Sequence, residues 1–349
     1  MEQHIHGGDI YRNPNVLDFS ANINPLETPD SVIAAAANSL RQIAHYPDVQ
    51  RQELTCALAD YEGVPGEHII CGNGAAELIF AAVWALKPEK ALVTAPAFAE
   101  YEQALDSAGC QTKHFYLKAS EGFAVTEDIL DAITSDLDML FLCNPNNPTG
   151  VMIETALLDR ILARCLEQNV FLLLDECFVD FVLDPGSVTK KAQLSAYPNL
   201  FLLKAFTKRY AMAGLRLGYG LCSDQSFLAR MRQMMQPWSV STPAQAAGVA
   251  ALLEVDYVER ARSLVHEERE FLKQELENLK LNVFDSRANY IFFEGRPGLC
   301  AELLNKGIMI RDCGNYPGLS DGYYRIAVRR REENLKLLQA LKECLAESQ

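Results

Sequence analysis

The sequence has no block of basic residues, and its acidic residues outnumber its basic ones. Lys and Arg total 32 against 46 Asp and Glu, which gives a formal net charge of −14. Such a chain is repelled by nucleic-acid backbones and by anionic membrane surfaces, so we expect neither among its partners. Any anion that it binds must be held by a few placed Arg, Lys and backbone N–H groups.

A disulfide or metal-binding framework is also missing. The ten cysteines are scattered, none belongs to a Cys-x-x-Cys pair, and the nearest two, Cys165 and Cys177, are 12 positions apart. A chain of 349 residues can bury a large core without covalent or metal staples. We therefore predict reduced cysteines, most of them in the core, and no metal site.

Long apolar runs are absent as well. No run approaches 18 apolar residues, and the first six residues carry no apolar stretch of the signal-peptide kind. We therefore expect a cytoplasmic protein. Hydrophobic residues make up 49% and charged residues 22% of the chain, which excludes a disordered protein.

Short apolar runs alternate with helical patterns through the first two thirds of the chain. The runs are 91–95, 139–143, 170–174, 200–203 and 217–222, and the helices are predicted over 75–86, 98–108, 126–134 and 154–168. Short, nearly uninterrupted runs are typical of strands that helices cover on both faces. The alternation predicts an α/β fold with a mostly parallel sheet.

The pattern changes after about residue 240 and predicts a smaller α+β unit. Its elements are a helical region 243–280, strands 289–294 and 323–328, and helices 299–306 and 332–346. Near the start, a helix over 30–44 with Asp30 or Ser31 as its cap follows an arm rich in Gly, Pro and Asn. We predict an arm and part of the small domain over 1–44, a large domain over 45–245 and a small domain over 246–349.

Residues with useful chemistry follow the predicted strands, at the edge where open α/β sheets bind ligands. Asn147 lies in the loop after 139–143, Asp175 follows 170–174, and Lys208 and Arg216 come after 200–203. A desolvated lysine near another cation has a lowered pKa and can form a Schiff base. A buried carboxylate can hold a pyridinium N–H, as a ring that acts as an electron sink requires.

Two further features join this set. Residues 72–74 form a glycine loop before a helix, whose free N–H groups can receive a phosphate, and Phe98 could stack on a flat ring. Each residue also has an ordinary interpretation. Lys208 could be a surface charge, Asp175 a helix cap, Asn147 a turn residue and Phe98 part of the core.

In this order the residues resemble the class I/II aminotransferase superfamily of fold-type I pyridoxal-phosphate enzymes, and the run 207–219 is the most specific part. The resemblance implies a mostly parallel seven-stranded sheet sandwiched by helices, a small α+β domain, pyridoxal 5'-phosphate as cofactor and a homodimer. It also implies that Lys208 binds the cofactor covalently and that Asp175 holds its pyridine nitrogen. The other implied cofactor contacts are Ala75, Ala76, Phe98, Asn147, Thr207 and Arg216.

Two positions depart from the pattern of many relatives. Ala205 stands where they carry a serine that donates to the cofactor phosphate, and Phe178 stands where they carry a tyrosine that bonds the phenolic oxygen. Neither change removes an essential group. Both argue against a standard aspartate-type transaminase.

The N-terminal segments 6–10 and 17–26 look like those of the threonine-phosphate decarboxylases of cobalamin biosynthesis, relatives of the histidinol-phosphate aminotransferases. Phe178 and the segment 310–313 fit the same branch. The resemblance implies that the substrate's phosphate is bound by His6, Asn22 and Arg311. By the same resemblance Arg325 binds its α-carboxylate, and Asn147 also faces the substrate. Without the resemblance, His6 would be a surface residue, Asn22 a turn residue and Arg311 an ion-pair partner.

The leading prediction is decarboxylation of O-phospho-L-threonine to (R)-1-amino-2-propanol O-phosphate. A histidinol-phosphate or other aminotransferase and an O-phosphoserine decarboxylase are alternatives. They stay open because the reaction depends on which bond at Cα stands perpendicular to the cofactor ring. A non-catalytic ligand sensor fused to a DNA-binding segment is the alternative from another class, and we expect no room for it in 349 residues.

Overall fold

A computed structural model describes residues 6–346 of the chain. Residues 1–5 of the predicted arm and the end of the predicted small domain, 347–349, lie outside the described residues. The strands are β1 Leu17–Asp18, β2 Ile69–Gly72, β3 Lys90–Ala95, β4 Gln111–Tyr116, β5 Met139–Cys143, β6 Phe171–Asp175, β7 Leu200–Ala205, β8 Gly218–Leu221, β9 Asn282–Val283, β10 Tyr290–Glu294, β11 Ile308–Met309, β12 Arg311–Asp312 and β13 Tyr323–Ala327.

Helices cover both faces of the larger sheet and one side of the smaller one. They are α1 Asp30–Ser39, α2 Gln52–Glu62, α3 Gly74–Leu86, α4 Glu100–Ser107, α5 Ile129–Ala132, α6 Thr155–Glu167, α7 Phe206–Arg209, α8 Gln225–Met234, α9 Thr242–Leu252, α10 Val255–Asn278, α11 Leu299–Asn305 and α12 Arg331–Ala346. Two apolar clusters pack on opposite faces of the central strands, because successive side chains of a strand point to opposite sides.

A seven-stranded sheet in the order β2-β8-β7-β6-β5-β3-β4 forms the larger part of the protein. Every strand runs in one direction except β8, which is antiparallel to both of its neighbours. The prediction of a mostly parallel sheet is therefore confirmed. Because β8 runs backwards, its first residue, Gly218, lies opposite Ala205 and Gly72, at the edge where the other strands end.

The smaller sheet has the order β12-β13-β10-β9 and is antiparallel. A separate parallel pair joins β1 to β11, so the segment that follows the N-terminal arm packs on the C-terminal part of the chain. The N–H of Ala327 also donates to the carbonyl of Phe19 at 2.7 Å. These contacts place residues 17–22 at the edge where the strands of the large sheet end. The domain boundaries stay a prediction.

Several predicted elements differ in detail from the structure. The helical region 243–280 is two helices, α9 and α10, separated at Leu253 and Glu254. The predicted caps of the first helix are wrong, because Asp30 is its first residue and the Ser31 hydroxyl donates instead to the Glu254 carboxylate at 2.5 Å. That helix gives way after Ser39 to a 3-10 turn, and α5 spans four residues of the predicted 126–134.

Within residues 6–346 no helix combines the length and apolar character that a bilayer crossing needs, and no group of three His, Cys, Asp or Glu could hold a metal ion. All ten cysteines are free thiols, and eight of them are buried.

Candidate active site

One cavity of about 270 Å³ lies at the edge where the strands of the large sheet end. The structure brings all of the predicted site residues to its walls: His6, Asn22, Ala75, Ala76, Phe98, Asn147, Asp175, Thr207, Lys208, Arg216, Arg311 and Arg325. They come from the segments on either side of β1, the start of α3, the loops after β3 and β5, the end of β6, the helix α7, the segment before β8, and the strands β12 and β13. Their individual roles stay predictions, which the following geometry supports.

Lys208 lies on the short helix α7, directly after the buried strand β7. Burial lowers the pKa of its ammonium to about 8, and the positive charges of Arg325 and Arg216 act in the same direction. Its Nζ lies 5.9 Å from the centroid of the Phe178 ring. A neutral, nucleophilic amine is therefore accessible at a moderate pH.

Asp175 ends β6 and is buried. Its Oδ2 accepts a hydrogen bond from the Tyr101 hydroxyl at 2.6 Å, and its Oδ1 accepts one from the N–H of Cys177 at 2.9 Å. Burial raises the pKa of this carboxyl, while the two hydrogen bonds favour its ionised form. The sequence analysis missed Tyr101, whose ring lies 5.7 Å from the Phe98 ring between centroids.

A cradle for an anion forms where the loop 72–74 enters α3. A Cβ on Gly218 would lie 2.5 Å from the N of Ala75, and a Cβ on Gly74 would lie 2.7 Å from Nη2 of Arg216. Gly74 has a φ of +81°, which favours glycine. The close approach of these backbones gathers the free N–H groups of the helix and a guanidinium around one space, which suits a phosphate.

Asn147 and Arg325 are hydrogen-bonded to each other in the wall of the cavity. Nη1 of Arg325 donates to Oδ1 of Asn147 at 2.5 Å, and Nη2 donates to the carbonyl of Ser20 at 2.8 Å. This occupies the amide oxygen of Asn147 and leaves its NH₂ group to donate to a ligand. Nε of Arg325 is buried and has no hydrogen-bond partner, so part of the guanidinium also remains for a ligand.

His6, Asn22 and Arg311 line another part of the cavity wall. Arg311 is buried, donates to Oδ1 of Asn315 at 3.1 Å and stacks over the ring of Tyr316 at 5.3 Å. Oδ1 of Asn22 is buried without a hydrogen-bond partner. Burial lowers the pKa of His6, and the charge of Arg311 lowers it further. This wall therefore offers a guanidinium, an imidazole and an amide to a polar ligand.

Comparison with known proteins decides the family. The model of the family described as aminotransferase class I and II matches residues 14–341. The chain belongs to this family. Proteins of the class I and II aminotransferase family depend on pyridoxal phosphate. The histidinol-phosphate aminotransferase of Sinorhizobium meliloti was solved in complex with pyridoxal 5'-phosphate. It shares the fold of this chain, with a TM-score of 0.88 and 20% identity over 100% of this chain and 96% of that chain.

Two curated relatives bear on the branch within the class I and II aminotransferases. The chain is 42% identical to the threonine-phosphate decarboxylase of Salmonella typhimurium, over 97% of this chain and 96% of the relative. It is 31% identical to an adenosylcobalamin biosynthesis bifunctional protein of Leptospira interrogans, over 96% of this chain and 40% of the relative.

Solved aminotransferase-family structures include both predicted branches. The histidinol-phosphate aminotransferase of Clostridium acetobutylicum has a TM-score of 0.89 and 30% identity, over 95% of this chain and 100% of that one. The L-threonine-O-3-phosphate decarboxylase of Porphyromonas gingivalis has a TM-score of 0.84 and 25% identity, over 94% and 99%. The predicted fold class is confirmed by these neighbours and by the sheet.

The residues at this aminotransferase-family site fit pyridoxal 5'-phosphate. The cradle at α3 and Arg216 would hold the cofactor's phosphate, and Asp175 would hold its pyridine nitrogen. The NH₂ group of Asn147 would donate to its phenolic oxygen, and Lys208 would bind its aldehyde carbon. Ala205 also lines the cavity, so this position supplies no hydroxyl to the phosphate.

A buried ionic network lies beneath the site and contains the chain neighbours of both Lys208 and Asp175. Nζ of the buried Lys204 lies 3.4 Å from Oε2 of Glu176 and 3.7 Å from Oε1 of Glu62. The hydroxyl of Tyr219 donates to Glu62 at 2.5 Å and accepts from Nη2 of Arg209 at 2.8 Å. The network thus extends from Arg209, the neighbour of Lys208, to Glu176, the neighbour of Asp175.

Replacing Lys204→Met should destabilise the protein by about 3 kcal/mol, because it removes the buried cation that Glu176 and Glu62 share. Burial opposes the charge of Lys204, but Glu176 and Glu62 outweigh it and raise its pKa. Burial likewise opposes ionisation of Glu62, yet Lys204 and Arg209 hold its pKa at about 2. Urea unfolding of the cofactor-free protein measures the loss.

The matched control is Lys191→Met. Lys191 also pairs with Glu62, at 3.1 Å, but its side chain is 34% exposed, so we expect a loss below about 1 kcal/mol. An equally small loss for Lys204→Met would show that the buried network contributes little to stability.

Proposed function

We propose that this protein is a pyridoxal-phosphate-dependent decarboxylase of O-phospho-L-threonine in cobalamin biosynthesis. Its product would be (R)-1-amino-2-propanol O-phosphate. The observation that carries the proposal is one cavity in which two separate anion-binding groups lie around the amine of Lys208. Arg311 and His6 form one group, and Arg325 forms the other. A small amino acid with a phosphate and a carboxylate matches both anchors. The relative that is 42% identical favours phosphothreonine.

Bound pyridoxal 5'-phosphate supplies an electron sink for the pair released when a bond at Cα breaks. Asp175, fixed by two hydrogen bonds, keeps a negative charge available for the ring nitrogen. Arg325 and the Arg311 wall fix the two ends of the substrate, so that the bond from Cα to the carboxylate is the one placed for cleavage. CO₂ leaves, and Nζ of Lys208 delivers the proton that replaces it on Cα.

Transamination is the second candidate, because the C. acetobutylicum histidinol-phosphate aminotransferase shares this fold at 30% identity. In transamination Lys208 would remove a proton from Cα, whereas in decarboxylation it delivers a proton to Cα. The two reactions differ in how the substrate is anchored. Decarboxylation of O-phosphoserine differs from the leading proposal by one methyl group on the substrate.

We also propose that the protein is a cytoplasmic homodimer. Tyr46 and Trp238 stack on each other at 4.5 Å between ring centroids while both remain exposed, and Ile43 nearby in the chain is 70% exposed. Exposed aromatic and aliphatic side chains of this kind suit burial against a second copy. Ten free thiols suit a reducing compartment. Light scattering of the purified protein tests the dimer.

The proposed function is tested by comparing kcat/KM among four substrates of the cofactor-loaded enzyme. They are O-phospho-L-threonine, O-phospho-L-serine, L-threonine, and histidinol phosphate with 2-oxoglutarate. We expect the highest value for O-phospho-L-threonine and a value lower by about 10²-fold or more for L-threonine, which lacks the charge-assisted bonds of the phosphate. A higher value for histidinol phosphate would reject the proposal in favour of the aminotransferase.

Incorporation of the cofactor should depend on pH through Lys208. The neutral amine is the nucleophile, and the pKa of Lys208 is about 8. Below that pH the incorporation rate should rise about tenfold per pH unit, and above it the rate should level off. Stopped-flow absorbance of cofactor-free protein mixed with pyridoxal 5'-phosphate measures it.

The variant Arg325→Leu tests the electrostatic origin of this pH profile. Removing the positive charge of Arg325 should shift the midpoint to higher pH, because that charge helps to lower the pKa of Lys208. A profile with the ordinary lysine midpoint in the wild-type protein would contradict the assignment.

A further inference from the structure

Glu100 adds a carboxyl group to the cavity that the roles above do not use. It is the first residue of α4, and its side chain is 16% exposed. Its Oε1 lies 3.6 Å from Nδ1 of His6, and its Oε2 is buried without a hydrogen-bond partner. A buried carboxyl oxygen without a partner costs free energy unless a ligand or a proton occupies it.

The surroundings of Glu100 make its protonation state sensitive to a ligand. Burial raises its pKa to about 7, Asp175 acts in the same direction, and the positive charges of Lys208 and Arg311 oppose the rise. His6 faces the same carboxyl, and burial lowers its own pKa. Near neutral pH the Glu100 carboxyl is therefore protonated in part of the molecules and ionised in the rest.

We propose that Glu100 binds the substrate's phosphate as a neutral acid, donating its O–H to a phosphate oxygen beside His6 and Arg311, so that substrate binding takes up a proton. This inference rests on the proposed function. A phosphate held by His6 lies next to Glu100, because the two side chains are 3.6 Å apart. Two anions cannot share that space at low cost, whereas a carboxylic acid and a phosphate form a strong hydrogen bond.

The pH dependence of substrate affinity follows from this role. Between pH 7 and 9 the substrate's phosphate is a dianion, so its own titration adds little. As Glu100 ionises, the KM of the wild-type enzyme should rise by up to about tenfold per pH unit, with a smaller change in kcat. Glu100→Gln keeps an N–H donor and cannot ionise, so its KM should be nearly flat over this range. The matched control is Glu102→Gln, on the same helix but paired with His114.

Proton uptake measures the proposal independently of turnover. We would titrate the cofactor-loaded enzyme with the product, (R)-1-amino-2-propanol O-phosphate, in two buffers that differ in ionisation enthalpy. At pH 7.5 about three quarters of a group with a pKa of about 7 is ionised, so the wild type should take up roughly three quarters of a proton more than Glu100→Gln. Glu102→Gln should match the wild type.

His6→Gln separates the two titratable neighbours. Uptake that persists in His6→Gln but disappears in Glu100→Gln supports the proposal. Equal uptake in the wild type and Glu100→Gln overturns it, and so does uptake that only His6→Gln abolishes. A wild-type KM that does not change between pH 7 and 9 overturns it without any variant.

These results also separate the inference from the proposed function. If the wild type does not decarboxylate O-phosphothreonine but its uptake disappears in Glu100→Gln, the proposed function fails and the role of Glu100 stands. If the wild type decarboxylates and uptake is the same in both proteins, the role of Glu100 fails alone.

Discussion

A Lys208→Ala protein is expected to lose decarboxylation by about 10³-fold or more and to lose covalently held cofactor. Nζ of Lys208 is both the amine that binds the cofactor and the proton donor to Cα in the proposed reaction, so one change removes two functions. Lys208 lies directly after β7, and the positive charges of Arg325 and Arg216 help to lower its pKa, which favours both functions. The measurements are the rate of CO₂ release and the visible absorbance of the purified protein before and after borohydride treatment.

The matched control for this prediction is Lys113→Ala, because Lys113 is an exposed lysine that pairs with Asp136 on the surface. We expect wild-type turnover and absorbance from it. If Lys208→Ala kept a chromophore that borohydride reduces, another lysine would bind the cofactor.

Asp175→Asn is expected to slow turnover by about 10²–10³-fold while the protein keeps its fold. The amide cannot supply the negative charge that a protonated pyridine nitrogen needs, and such preorganised charge in a buried site has a large effect on rate. The change is nearly isosteric, and the hydrogen bond from the N–H of Cys177 has an acceptor in either residue. Single-turnover kinetics with saturating cofactor measure the effect.

Tyr101→Phe completes a graded series with Asp175→Asn. It removes one hydrogen bond to the carboxylate, at 2.6 Å, and leaves the charge in place, so we expect a loss of only about 2–10-fold. Near-wild-type rates for Asp175→Asn would instead identify Asp175 as a structural cap, the ordinary interpretation of its sequence position.

The central strands could be predicted because each is a short apolar run buried on both faces. The predicted run 139–143 coincides with β5, and 170–174 differs from β6 by one residue at each end. The strand β4, Gln111–Tyr116, was missed because it lies at the sheet edge and reads as a polar, partly exposed segment. The break at Leu253 was missed because neither Gly nor Pro marks it.

The location of the candidate site could be predicted because the topology gathers the carboxyl ends of the strands at one edge. Arg216 joins them only because β8 runs antiparallel, which its apolar pattern does not reveal. Tyr101 and Glu100 were missed for a different reason. Their contacts with Asp175 and His6 arise from packing between distant segments, and nothing in the chain pattern distinguishes them from other residues of an amphipathic helix.

The most direct test of the proposed function counts the CO₂ released per active site from O-phospho-L-threonine with no 2-oxo acid present. A decarboxylase regenerates its cofactor in every cycle, so we predict continuous release of many equivalents with the cofactor spectrum unchanged at the end. A transaminase would stop after one half-reaction, with the cofactor left in its amine form and little CO₂ released. That stall, relieved by 2-oxoglutarate, is the result that would contradict the account.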